Sequence, residues 1–231
     1  MKFKPNNTYK ITILGAGSWG GTLAWLLSNQ GHKITLWTFS KAEWELLSKT
    51  RSLIRPKKVP FNKNIQITTN LKEALNKTNL LIIAVPTSAF KSLLLQLKKL
   101  KIKKNIILLS ATKGITTNDN LRPAQLIKKY LPGNKFAVLS GPNIALDVIS
   151  KAPIISVIAS NNLNIAAKLQ KIIASKYFRI YINRDVTGIE IAGALKNVIA
   201  IAAGMSDGFG FNISTKAALI SRGLIEISKI E

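Results

Sequence analysis

The stretch from Lys10 to Trp37, KITILGAGSWGGTLAWLLSNQGHKITLW, decides the fold. Lys10 to Leu14 is a short apolar, β-branched run that predicts a strand. Gly15-Ala16-Gly17-Ser18-Trp19-Gly20 follows it as a G-x-G-x-x-G. Thr22 to Asn29 then has helical spacing and ends at Gly31, and His32 to Trp37 predicts a second strand. Strand, helix and strand in this order form a βαβ unit, which implies a parallel pair with a right-handed crossover. His32, the single histidine, lies in the turn before a strand and reads as structural.

A short glycine motif alone is a weak signal. Directly after a strand, and opening a helix inside a βαβ unit, it reads as a dinucleotide-binding loop rather than a structural turn. Gly15 permits the tight turn, Gly17 lets the backbone approach a pyrophosphate, and Gly20 lets helix and strand pack closely. The helix N-terminus meets the phosphates with unpaired N–H groups and a favourable dipole. The second strand ends in Thr38-Phe39-Ser40-Lys41, with the first acid only at Glu43. No carboxylate is expected where one would meet the ribose 2′-hydroxyl of NAD, and Ser40 and Lys41 suit a 2′-phosphate. The cofactor reading is therefore NADP or NAD, leaning to NADP.

Further along, Leu80–Val85, Asn105–Leu109, Lys135–Leu139, Ile154–Ala159 and Tyr177–Ile182 predict strands, with helices over Ala89–Leu100 and Pro123–Leu131. Near-continuous apolar strands suit a sheet covered on both faces. From Thr187 the chain turns to small residues with helical periodicity. The fold class expected is α/β: a Rossmann-type, mostly parallel sheet domain over residues 1–185, then the start of an all-helical domain over 186–231. Thr215 to Lys229 predicts an amphipathic helix. Two helices alone cannot bury their apolar faces, so the helical domain is expected to be incomplete in this chain.

The 231 residues are 47% hydrophobic and 19% charged, which allows a large core and disfavours disorder. With no cysteine there is no disulfide framework and no thiolate chemistry, and no metal site is expected. Met1 to Lys10 lacks the apolar core of a secretory signal, and no apolar run is expected to span a bilayer, Ile199–Gly204 being short and flanked by Lys196 and Asn197. A cytoplasmic protein without membrane insertion follows. The 34 Lys and Arg against 10 Asp and Glu leave a formal net charge of +24. The lysines are scattered and lack interleaved aromatics, so nucleic acid is not an expected partner, whereas small anionic ligands are favoured by steering.

Ile13–Ala24 (ILGAGSWGGTLA), Val85-Pro86, Ser110–Gly114 (SATKG), Ser140–Pro142 (SGP) and Gly188–Gly208 (GIEIAGALKNVIAIAAGMSDG), extended by Thr215–Gly223 (TKAALISRG), resemble the successive motifs of the NAD(P)-dependent glycerol-3-phosphate dehydrogenases. The resemblance covers nearly the whole chain. It implies a reversible hydride transfer between NAD(P)H and dihydroxyacetone phosphate, a small phosphorylated substrate, giving sn-glycerol 3-phosphate for glycerophospholipid synthesis. It also implies that Lys196 is the general acid/base at the substrate C2 oxygen, and that Lys113 contacts both cofactor and substrate. Ser18, Trp19, Phe39 and Ala145 would join the glycines as cofactor contacts, and Gly141 and Asn143 would touch substrate. A homodimer is expected if the helical domain is completed.

An isolated lysine in the apolar stripe around Lys196 is costly unless it has a purpose. To act as a base it must be partly neutral, which burial or a second cation favours. Asn143-Ile144 stands where the family has serine or threonine followed by phenylalanine, and Asp147 where it has glutamate. The family's later helices, which carry a serine-arginine-asparagine run for the substrate phosphate, have no counterpart here. A catalytically incomplete dinucleotide-binding remnant and a related hydroxyacid dehydrogenase are the alternatives.

Overall fold

The computed structural model describes residues 8–117 and 119–230. The reading of the N-terminus as lacking a secretory signal falls mostly on residues 1–7, outside the described residues. In chain order the elements begin β1 (Lys10–Leu14), α1 (Ser18–Asn29), β2 (Lys33–Trp37), α2 (Lys41–Thr50), β3 (Ser52–Leu53), β4 (Val59–Pro60), β5 (Ile65–Thr68) and α3 (Leu71–Ala74). Next come β6 (Leu80–Ile83), α4 (Thr87–Lys99), β7 (Ile107–Ser110), α5 (Pro123–Tyr130), β8 (Phe136–Ser140) and α6 (Ala145–Ile149). The last are β9 (Ile154–Ala159), α7 (Leu163–Ile173), β10 (Phe178–Asn183), α8 (Val186–Gly208) and α9 (Ile213–Ser228).

Eight strands form one sheet in the order β10-β9-β8-β7-β6-β1-β2-β5. From β5 to β8 all neighbours are parallel, the doubly wound order in which the chain reverses direction across the sheet at β1 and β6. β9 pairs antiparallel with β8, and β10 parallel with β9, so the last two strands run the other way. Residue alternation on each strand feeds two cores: Ile11, Ile13, Leu80 and Ile82 face one, Leu14, Leu81 and Ile83 the other. Strands buried on both faces explain why nearly all of them are legible as apolar runs.

Two expectations need correcting. β5 was not foreseen: Ile65-Gln66-Ile67-Thr68 alternates over only four residues at the sheet edge, too briefly to signal a strand. The first helix begins at Ser18, not Thr22, because its N-cap is Gly17 within the glycine loop. His32 is buried, its Nδ1 accepting from Tyr9 N at 3.3 Å while Nε2 lies 3.3 Å from the Ile172 carbonyl, and that burial lowers its pKa. These contacts give the structural histidine its partners.

Because β9 and β10 reverse, β10 ends beside the N-terminal half of β8, where Ser160 N donates to the Asn183 carbonyl and Ser160 Oγ to the Phe136 carbonyl. α8 then climbs along β8 toward that strand's C-terminal end. Asp185 caps it by accepting from Gly188 N at 2.8 Å. α8 is long and apolar enough to cross a membrane by length and composition, with mean hydropathy 1.5. The expectation that no run reaches such a length took Lys196 and Asn197 as a break, but the helix continues through both. α9 packs back on α8, and a Cβ on Gly223 would come within 2.8 Å of the Ile199 side chain.

Candidate functional site at the C-terminal edge of the sheet

The loop after β1 turns at Gly15, whose φ of +108° is a conformation L side chains rarely adopt; a Cβ there would lie 2.5 Å from the Ala84 carbonyl oxygen. A Cβ on Gly20 would overlap the Gly15 carbonyl, so helix and loop touch. Gly17 differs: a Cβ there would meet no protein atom within 4 Å. Protein packing therefore does not require glycine at 17, whereas close approach of a bound group to this backbone would. Gly17 caps α1 with no side-chain hydrogen bond, and Ser18 beside it is exposed. The indole of Trp19 packs against the core, with its Nε1 buried and unpartnered among the described residues. This N-terminus fits a pyrophosphate by its exposed amides and dipole.

Beside the loop lies a cavity of about 510 Å³, lined by Gly17, Ser18, Phe39, Glu43, Leu53 and Arg55 among others. Phe39 is 87% exposed at its mouth. One expectation fails here. The end of β2 does carry a carboxylate, because Thr38 Oγ1 donates to Glu43 Oε2. Ser40 caps α2 by accepting from Glu43 N at 3.2 Å, which folds Glu43 back over the strand end. Five residues of separation hid this.

Across the sheet, β7 delivers Lys113 and β8 delivers Gly141, and Lys113 Nζ donates to the Gly141 carbonyl at 2.9 Å. Asn143 follows, its Oδ1 accepting from Ser156 Oγ on β9 at 2.8 Å and its Nδ2 buried without a partner among the described residues. α8 passes so close to the end of β8 that a Cβ on Gly193 would overlap Ser140 Oγ. Lys196 lies one turn further on, with Nζ donating to Asn197 Oδ1 at 2.8 Å. Burial, and then the charge of Lys196, lower the Lys113 pKa to about 8. Ala145 opens α6, and Ile144 before it is 60% exposed.

α8 is held in place by a contact no local pattern announces. Glu190 Oε2 accepts from Arg122 at 2.7 Å and Oε1 from Ala124 N at 2.8 Å, with the Glu190 side chain only 5% exposed. Burial raises the Glu190 pKa, opposed by those two donors. Among the described residues no group of three or more His, Cys, Asp or Glu could hold a metal ion.

The sheet order and the glycine loop define a doubly wound α/β protein of the Rossmann class. Residues 10–166 match the model of the NAD-dependent glycerol-3-phosphate dehydrogenase N-terminus, and residues 185–231 that of its C-terminus. The chain belongs to this family. It is 43% identical over 221 residues to the glycerol-3-phosphate dehydrogenase [NAD(P)+] of Thermoanaerobacter sp. (strain X514), covering 96% of this chain and 66% of the relative. The enzyme of the same name from Halothermothrix orenii is 40% identical, with 96% and 64% covered. The crystal structure of glycerol-3-phosphate dehydrogenase from Coxiella burnetii superposes with a TM-score of 0.88 at 33% identity, covering 96% of this chain and 68% of that one. The chain thus spans about two thirds of the length of the relatives it matches.

Proposed function

We propose that this chain carries out the reversible reduction of dihydroxyacetone phosphate to sn-glycerol 3-phosphate with NAD(P)H, for glycerophospholipid synthesis in the cytoplasm. The observation that carries this reading is the meeting of Lys113 and Lys196 beside Gly141, at the same sheet edge as the glycine loop. When bound, the nicotinamide group supplies the hydride. Gly15, Gly17, Ser18, Trp19 and Gly20 hold the pyrophosphate side, with Phe39 and Ala145 flanking the dinucleotide. Lys196 Nζ gives a proton to the substrate C2 oxygen, and its charge stabilises the developing oxyanion. Lys113, Gly141 and Asn143 position the small phosphorylated substrate, Lys113 Nζ being held by the Gly141 carbonyl. Residues 1–185 form the dinucleotide-binding domain and 186–231 the start of a helical domain through which two copies pair once that domain is completed. Glu190, Lys196 and Asn197 within α8 favour a helix docked on protein rather than inserted in a bilayer.

Oxidation of NADH and NADPH at saturating dihydroxyacetone phosphate tests this, with Lys196→Ala as the comparison. The expected result is turnover that falls at least about 100-fold in the variant while dinucleotide binding persists. A second reading is a module that holds dinucleotide without turnover. Dinucleotide binding with no turnover by the natural chain would select it.

A further inference from the structure

The chain places the same small device at the ends of two neighbouring strands. At β5, Thr68 Oγ1 donates to Glu73 Oε2 at 2.9 Å, and Asn70 caps α3 by accepting from Glu73 N at 3.1 Å. At β2, Thr38 donates to Glu43 Oε2 and Ser40 caps α2 by accepting from Glu43 N at 3.2 Å. In both copies the threonine at the strand end also accepts from the N-cap backbone N–H, so the threonine, and not the glutamate, closes the strand-to-helix turn. The two copies differ at the second carboxylate oxygen. Glu73 Oε1 accepts from Gln66 Nε2 at 3.1 Å, which completes it. Glu43 Oε1 has no donor among the described residues, and Glu43 lines the 510 Å³ cavity that Gly17 and Ser18 also line. Bonds from β5 thus occupy both carboxylate oxygens of Glu73, whereas only one oxygen of Glu43 is occupied.

We propose that Glu43 selects the dinucleotide with a free ribose 2′-hydroxyl, NAD(H) over NADP(H). The inference rests on the reading that the glycine loop holds a nicotinamide dinucleotide. With the pyrophosphate on the α1 N-terminus, the adenosine ribose falls at the end of β2, within reach of the unpartnered Glu43 oxygen. A 2′-hydroxyl donates to that oxygen. A 2′-phosphate has no proton to give there near pH 7 and sets a dianion beside a carboxylate. Two cations stand nearby. Lys41 extends toward Glu45, 3.9 Å away, with its side chain 84% exposed, so solvent screens it. Arg55, the second, lines the same cavity as Glu43. Thr38 holds Glu43 against the strand end, whereas no hydrogen bond fixes the Arg55 side chain among the described residues.

The test is a calorimetric titration of the whole chain with NADH and with NADPH. Wild type is expected to bind NADH at least about 10-fold more tightly. Glu43→Gln keeps the capping pattern, which glutamine also satisfies, and removes the charge. Its NADH-to-NADPH preference should collapse toward unity, mainly through tighter NADPH binding. Glu73→Gln, the same change in the twin device, should leave the preference unaltered. Equal or tighter NADPH binding by wild type overturns the proposal, as does an unchanged ratio in Glu43→Gln. Loss of NADPH binding alone in Arg55→Ala would assign the discrimination to Arg55 instead. If the folded wild type binds neither dinucleotide, the dinucleotide-binding reading itself falls and this inference with it.

Discussion

Three glycines in one loop do three separable jobs, and single methyl groups distinguish them. Gly20→Ala drives a Cβ into the Gly15 carbonyl and should destabilise the chain by about 2–3 kcal/mol, read as a lower denaturation midpoint. Gly17→Ala meets no protein atom, so the midpoint should move by less than about 1 kcal/mol while dinucleotide affinity drops at least roughly 10-fold. Equal loss of stability in both variants would contradict this assignment. Lys113 offers a pH test. Its folded pKa of about 8 lies below the ordinary lysine value of 10.5, so folding disfavours its charged form. That penalty is fully present below pH 8 and disappears as pH rises toward 10.5. Lys113→Met should therefore stabilise the chain at pH 7 by on the order of 1 kcal/mol, after allowance for partial exposure, and the gain should vanish by about pH 10.5. A gain independent of pH would mean that packing, not charge, is responsible.

At the scale of elements, what the sequence revealed depended on how local each signal was. The parallel strands were legible because burial on both faces leaves continuous apolar runs, as in Leu80–Ile83. The turn at Gly15 and the close packing at Gly20 were legible from motif and context. β5 was not, since four alternating residues at an edge resemble a loop. Glu43 was overlooked because it returns to the strand end only after the N-cap of α2, five residues from Thr38. The Arg122–Glu190 pair joins residues 68 apart and has no periodicity to betray it. That pair ties α8 to the start of α5. Glu190→Ala would strand Arg122 and the Ala124 amide, and should cost about 2–4 kcal/mol in chemical denaturation. Glu190→Gln, able to keep one acceptor, should cost less. Equal effects from both would remove the charge from the account.

Across the whole molecule, 34 basic side chains face only 10 acidic ones, so a net charge of +24 is left without opposite charge in the chain, and most ion pairs among the described residues lie at the surface. Such self-repulsion weakens the compact state and is screened by salt. Raising sodium chloride from about 0.05 to 0.5 M should raise Tm by about 3 °C or more, whereas an uncharged osmolyte matched for Tm in low salt should leave the salt increment intact. The reversal of β9 and β10 has a consequence of another kind. It starts α8 at the far edge of the sheet, so Lys196 reaches the near edge only because ten helical steps of about 1.5 Å match the height of a five-residue strand, about 16 Å. The helix thus acts as a gauge with both a length and a phase. One residue added between Asp185 and Lys196 would swing the amine about 100° away from Lys113, and a whole added turn would restore its bearing but overshoot the sheet by about 5 Å.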